Sequence, residues 1–209
     1  KANIKFGVHL KGEKTNYQEN KVILTQPEVK ELFEACSVSH MATHFQMRDK
    51  AILVLLYSCG LRRNEAVHIN TEDILFEKQR IYVRKGKNYK ERFVPINKYN
   101  LSVLEEYIFE GRLEFLKNYQ TDALLLSNHG KRMSDLTLAN RLKEIITATE
   151  NEVIQEKHIT LHTLRHSIAT HLMQNKVPLK SISTFLGHES LESTQVYTHI
   201  VKTLDYENI

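Results

Sequence analysis

The stretch Thr160-Leu-His162-Thr-Leu-Arg165-His166, then Leu186-Gly187-His188, then Thr194-Gln-Val-Tyr197-Thr-His199, decides how this chain is read. Thr160 has the chemistry of an N-cap, and the helix it opens runs to about Asn175, with Leu164, Ile168 and Leu172 recurring every four residues. His162, Arg165 and His166 stand at i, i+3 and i+4, so the spacing predicts a shared face opposite much of that apolar stripe. The first turn of a helix has free N–H groups and a positive dipole end, and both favour an anion. An imidazole and a guanidinium placed there make a cradle for a phosphate. A zinc pair at His162 and His166 is the competing reading. It calls for a third ligand and an acid of the His-Glu-x-x-His kind, which this helix lacks. Taken singly, His188 after Gly187 reads as a turn residue, and Tyr197 on an amphipathic helix as core or rim.

Outward from this stretch, composition narrows the class. The chain has 209 residues, 41% of them hydrophobic and 26% charged, enough for a substantial core. With 7 Gly and 3 Pro there are few breakers, which favours helices over many short strands. No apolar run reaches the ~18 residues of a membrane span. Cys36 and Cys59 fit no metal spacing and read as buried thiols in a reducing cytoplasm. The net charge is only +4, but between Lys78 and Arg92 seven basic residues meet one acid, Glu91. That cluster fits either a polyanion contact or a solvated hairpin.

The element order follows from caps and periodicity. Thr25-Gln-Pro27-Glu28 is a capping box that opens a helix with Val29, Leu32, Phe33 and Cys36 on one face. A buried helix runs from about Phe45 to Ser58, with Gly60 at its C-terminal end and Asn64 as the cap of a short helix holding Glu65. Three strands follow, Asp73–Phe76, Arg80–Val83 and Arg92–Ile96, with a Lys/Gly/Asn turn between the last two. Asn97 opens a long helix to about Tyr119, Leu124–Leu126 is a brief strand or turn, and Ser134 caps a helix to about Thr149. Val177-Pro178 breaks the Thr160 helix, Leu179–Leu186 forms a short one ending at Gly187, and Ser190 caps the last, which holds Tyr197. The expected fold is mainly α with a small three-stranded antiparallel sheet.

Taken together, these motifs resemble the catalytic domain of the tyrosine recombinase/integrase family. The matching positions are Gly60-Leu-Arg62 with Glu65, Lys87 in the hairpin, His162-x-x-Arg165, Leu186-Gly187-His188, and Tyr197 in Thr-Gln-x-Tyr-Thr-His. The resemblance covers about Leu24 to Val201, with these boxes in family order. The resemblance implies residues 1–24 as a linker remnant from a missing N-terminal core-binding domain, 25–201 as the catalytic domain and 202–209 as a C-terminal tail.

It also implies site-specific DNA recombination, integration or excision, through a covalent 3′-phosphotyrosyl intermediate. In that scheme Arg62 and Arg165 grip nonbridging oxygens, Tyr197 is the nucleophile and His162 accepts its proton. His188 adds a hydrogen bond to the phosphate, Lys87 protonates the leaving 5′ oxygen, and Glu65 orients the site. Arg63, Arg80, Arg84, Lys85, Lys90 and Arg92 are the expected DNA-backbone contacts. The implied partners are double-stranded recombination sites, a homo-tetramer on DNA and accessory DNA-bending proteins. No cofactor, metal or membrane is expected, and the location is cytoplasmic and nucleoid-associated in a prokaryote. Alternatives are a type IB topoisomerase-like enzyme, a telomere resolvase, or a non-cutting DNA-binding protein of the same fold.

Overall fold

A computed structural model describes residues 22–84, 91–117 and 119–187. Lys85, Lys87, Lys90, His188, Tyr197, the Ser190 helix, the N-terminal stretch 1–21 and the tail lie outside the described residues.

Helix α1, Gln26–Ala35, starts at the Thr25–Glu28 capping box. Helix α2, Thr43–Leu53, continues as a π turn over Val54–Ser58, and Ala51 to Leu56 are completely buried. The apolar run is thus surrounded on all sides, as its length and lack of polar breaks predict. Helix α3, Arg63–His68, is short and leads through a 3₁₀ turn, Thr71–Asp73, into the sheet.

The sheet is β1 (Ile74–Leu75), β2 (Arg80–Val83) and β3 (Arg92–Pro95), antiparallel in the order β1-β2-β3. Ile81 faces Val94 and Val83 faces Arg92 across the β2–β3 pair. Strand alternation turns these four side chains toward the core, and leaves Tyr82 and Phe93 as a tilted aromatic pair, 5.2 Å apart, on the outer face.

The expected long helix is interrupted: α4 (Lys98–Glu106), a π turn (Tyr107–Gly111) and α5 (Arg112–Leu116), ending where Lys117 adopts a φ of 49°. The segment Ala123–Leu126 forms isolated bridges rather than a strand, Asn70 with Ala123 and Leu126 with Arg132. Helix α6, Asp135–Thr147, is capped by Ser134, and a short α7, Glu152–Glu156, too brief for a periodic pattern, is capped by Asn151. Helix α8 is Leu161–Gln174, capped by Thr160, and α9 is Leu179–Leu186, closed by Gly187 at φ 64°. One face of α8 packs on the C-terminal end of α2, and α9 lies between α8 and β3.

Candidate active site

The site is built at the end of α2. Gly60 takes a φ of 58°, and a Cβ there would lie 2.9 Å from Leu186 and 3.0 Å from Phe185. Glycine therefore supplies both the left-handed turn and the close approach of α9. The turn buries Leu61 and sets Arg62 in extended backbone, φ −69° and ψ 153°, as the residue before α3. The cap is thus Arg62 rather than Asn64: the Arg62 N–H donates to the Glu65 carboxylate at 2.8 Å, so the acid closes the helix start from inside its first turn.

Glu65 is buried and is the hub of the site. Its carboxylate accepts from Arg62 Nη1 at 3.0 Å and from both terminal nitrogens of Arg92, at 2.8 and 2.9 Å. Arg165 Nη1 lies 3.9 Å away. Burial alone would raise this carboxyl. The Arg92 hydrogen bonds and charge, the Arg62 N–H and the Arg165 charge outweigh it and hold the group below its ordinary range. Each guanidinium is also tied to backbone. Arg62 Nη2 donates to Gly187 O at 3.1 Å, Arg165 Nη2 to Leu186 O at 2.6 Å, Arg92 Nε to Phe185 O at 3.0 Å, and Arg165 Nη1 to Gly60 O. The C-terminal carbonyls of α9, left free by helix geometry, thus become the sockets for three arginines.

Arg165 does not share an exposed face with its helical neighbours. It is 4% exposed, while His162 is exposed and His166 half-buried. Of the predicted stripe, Leu164 is fully buried and Ile168 and Leu172 only partly. The reason is that α8 packs against both α2 and α9, so Arg165 projects into the seam between them. His162 is held below its ordinary basicity by partial desolvation and by the charges of Arg165, Arg63 and Arg62. The imidazole is therefore neutral at neutral pH, the form that accepts a proton or a hydrogen bond. The His162 and His166 rings are 6.4 Å apart.

The basic residues near the hairpin divide by environment. Arg80 is exposed. Arg63 pairs with Asp135 at 3.1 Å across the α3–α6 junction, with about half its side chain open to solvent. Arg84 pairs with Glu72 at 2.5 Å and Asp73 at 2.9 Å. Arg92 departs from the expected surface role. Its side chain is 7% exposed because strand alternation turns it inward with Val94, onto Glu65. That signal was present in the sequence: two residues apart in a strand means one face.

A second polar chain supports α8 from behind. Tyr57 Oη and Nδ1 of buried His171 are hydrogen-bonded at 2.8 Å, and the Leu24 backbone bonds to the same ring. The Leu24 N–H donates to Ser167 Oγ at 2.9 Å. Burial lowers the His171 pKa from 6.5, against the smaller opposing effect of the Leu24 bond. His44 is lowered too, chiefly by burial. A base that is harder to protonate when folded contributes its full stability above the unfolded pKa, and loses it as pH falls below that value. The urea midpoint is therefore expected to fall from pH 7.5 to pH 5.5, and His171→Gln, which cannot titrate, to flatten that slope. Equal slopes in the two proteins would exclude His171 as the source.

Comparison with known proteins places this geometry. The model of the phage integrase family matches residues 23–203. The chain is 38% identical over 181 residues to tyrosine recombinase XerC of Oceanobacillus iheyensis, covering 86% of this chain and 57% of that protein. It is 39% identical over 167 residues to tyrosine recombinase XerD of Listeria innocua, covering 79% and 54%. The chain thus spans little more than half the length of these curated relatives. Among solved structures, XerA recombinase superposes with a TM-score of 0.71 at 30% identity, over 85% of this chain and 60% of that one. XerH site-specific recombinase, in a post-cleavage complex with a palindromic difH substrate, superposes with a TM-score of 0.74 at 25% identity, over 90% and 52%. The chain belongs to the phage integrase family, with the mainly helical, three-stranded catalytic fold of the tyrosine recombinases.

Proposed function

We propose that this chain cleaves and rejoins DNA strands at specific sites, by way of a covalent 3′-phosphotyrosyl intermediate on Tyr197. The observation that carries the reading is the convergence of Arg62 and Arg165 on one buried carboxylate, with neutral His162 close enough to feel both charges. Two planar cations held beside each other suit the two nonbridging oxygens of one phosphodiester, where negative charge builds up during attack. Tyr197 Oη attacks phosphorus while His162 takes its proton. The bond to the 5′ oxygen breaks, and Lys87 supplies the proton that oxygen needs. His188 adds a hydrogen bond to the phosphate. A 5′-hydroxyl from a partner strand then attacks the phosphotyrosine and releases Tyr197, so bond energy is conserved. Arg63, Arg80, Arg84, Lys85 and Lys90 contact neighbouring phosphates, with Arg84 exchanging its acidic partners for DNA. The working assembly is a tetramer on two duplex sites.

The test is covalent capture. A pool of random-sequence duplexes, each nicked so that the short fragment 3′ of the cut, which carries the freed 5′-hydroxyl, diffuses away, is incubated with the chain and enriched for denaturant-stable adducts. The expected result is enrichment of one site, with mass spectrometry placing the nucleotide on Tyr197. Capture without sequence enrichment, together with relaxation of any supercoiled plasmid, would convert the reading to a topoisomerase. No adduct after repeated rounds would remove strand cleavage altogether.

A further inference from the structure

Arg92 is the unexpected member of the site. It lies at the start of β3, yet its guanidinium reaches both oxygens of Glu65 and the Phe185 carbonyl at the end of α9. It also underlies Gly187, where a Cβ would lie 2.7 Å from Nη1 and 2.8 Å from Cζ. Glycine at that position lets the end of α9 rest directly on the arginine plane. One side chain therefore joins the sheet, the hub carboxylate and the end of α9.

We propose that Arg92 is a positioning residue for strand cleavage. Acting through Glu65 and α9, it sets Arg62 and Arg165 at the spacing that grips one phosphate. The inference rests on the strand-cleavage reading above. Glu65 has two oxygens, and Arg92 takes one lone pair on each. That fixes the carboxylate plane, and with it the direction in which Glu65 meets Arg62 Nη1 and the Arg62 N–H. Without the fork the carboxylate is held from the Arg62 side alone and can tilt away from α9, and the angle between the two phosphate-gripping arginines spreads. Placement errors of this kind affect the rate of a reaction more than the binding of its substrate.

The test uses the full chain and the duplex enriched by capture. Arg92→Gln is expected to slow adduct formation at saturating protein by about 30-fold or more, with the duplex Kd changed by about threefold or less. Arg92→Lys, whose single ammonium meets one oxygen, is expected to fall between the two. A duplex with a methylphosphonate at the scissile position carries one charge fewer on its nonbridging oxygens, so the Arg92→Gln defect should shrink on it. A defect of equal size on both duplexes would reduce Arg92 to a structural strut, and a wild-type rate in Arg92→Gln would end the proposal. If Arg92→Gln does not fold, the decision rests on Arg92→Lys, where an unchanged rate overturns it. If the wild-type chain captures no DNA, it is the strand-cleavage reading that fails. Guanidinium ¹⁵N NMR then decides this point alone: Arg62 Nη rotation accelerates in Arg92→Lys if the fork orders the hub, and is unchanged if it does not.

Discussion

Glu65→Gln is expected to lower the unfolding free energy by about 3 kcal/mol or more, the usual cost of removing one partner from a buried ion pair. The side-chain volume is unchanged, so the loss is electrostatic. The side chains of Arg92 and Arg165 are 7% and 5% exposed, and both guanidiniums approach the Glu65 carboxylate. The amide also places an NH₂ donor where one carboxylate oxygen had accepted, facing N–H groups that need acceptors. In urea the midpoint should move down by about 1 M or more. The sign of the pH dependence follows from the depressed carboxyl. Wild-type Glu65 contributes its stability above the ordinary value of 4.5 and loses it as pH falls below that value, so the gap between the two proteins should narrow in acid. A midpoint shift of less than about 0.3 M at pH 7 would mean that the arginines find other partners as readily.

Arg165→Lys is expected to slow covalent adduct formation by about 10²- to 10³-fold, the range seen when one preorganised donor to a developing charge is removed. Charge is retained, so a purely electrostatic contribution at a distance would survive. What is lost is shape. Arg165 divides its fork between the Gly60 carbonyl and the Leu186 carbonyl, which fixes the guanidinium plane from two sides. An ammonium can satisfy one of those sockets and cannot hold a plane. On the proposed reading DNA binding should change little, because contacts to neighbouring phosphates would supply most of that affinity. A rate within about tenfold of wild type would show that a point charge suffices, and that the bidentate grip is not the basis of the chemistry.

Much of this architecture was legible in the sequence because local rules and tertiary demands agree there. Thr25, Ser134 and Thr160 cap where their side chains can accept from the first turn, and Gly187 ends α9 where a left-handed residue is needed. The second strand is matched to the residue. The readings that shifted are those where long-range packing sets the outcome. Asn64 has the side chain of a cap, but Arg62 takes the position because its backbone N–H is claimed by Glu65. Helical spacing put Arg165 with His162, whereas α9, folded back from beyond the helix, buries it. Arg92 was read by its charge when strand alternation already turned it inward. The Tyr57–His171–Leu24 chain joins residues more than a hundred positions apart, and no local pattern announces it.

Leu24 gives that last chain a mechanical meaning. Both its backbone groups are held by side chains of α8, the N–H by Ser167 and the carbonyl by His171, before the first helix begins. The residue that leads into α1 is thus moored to the helix that carries Arg165, two residues from Ser167.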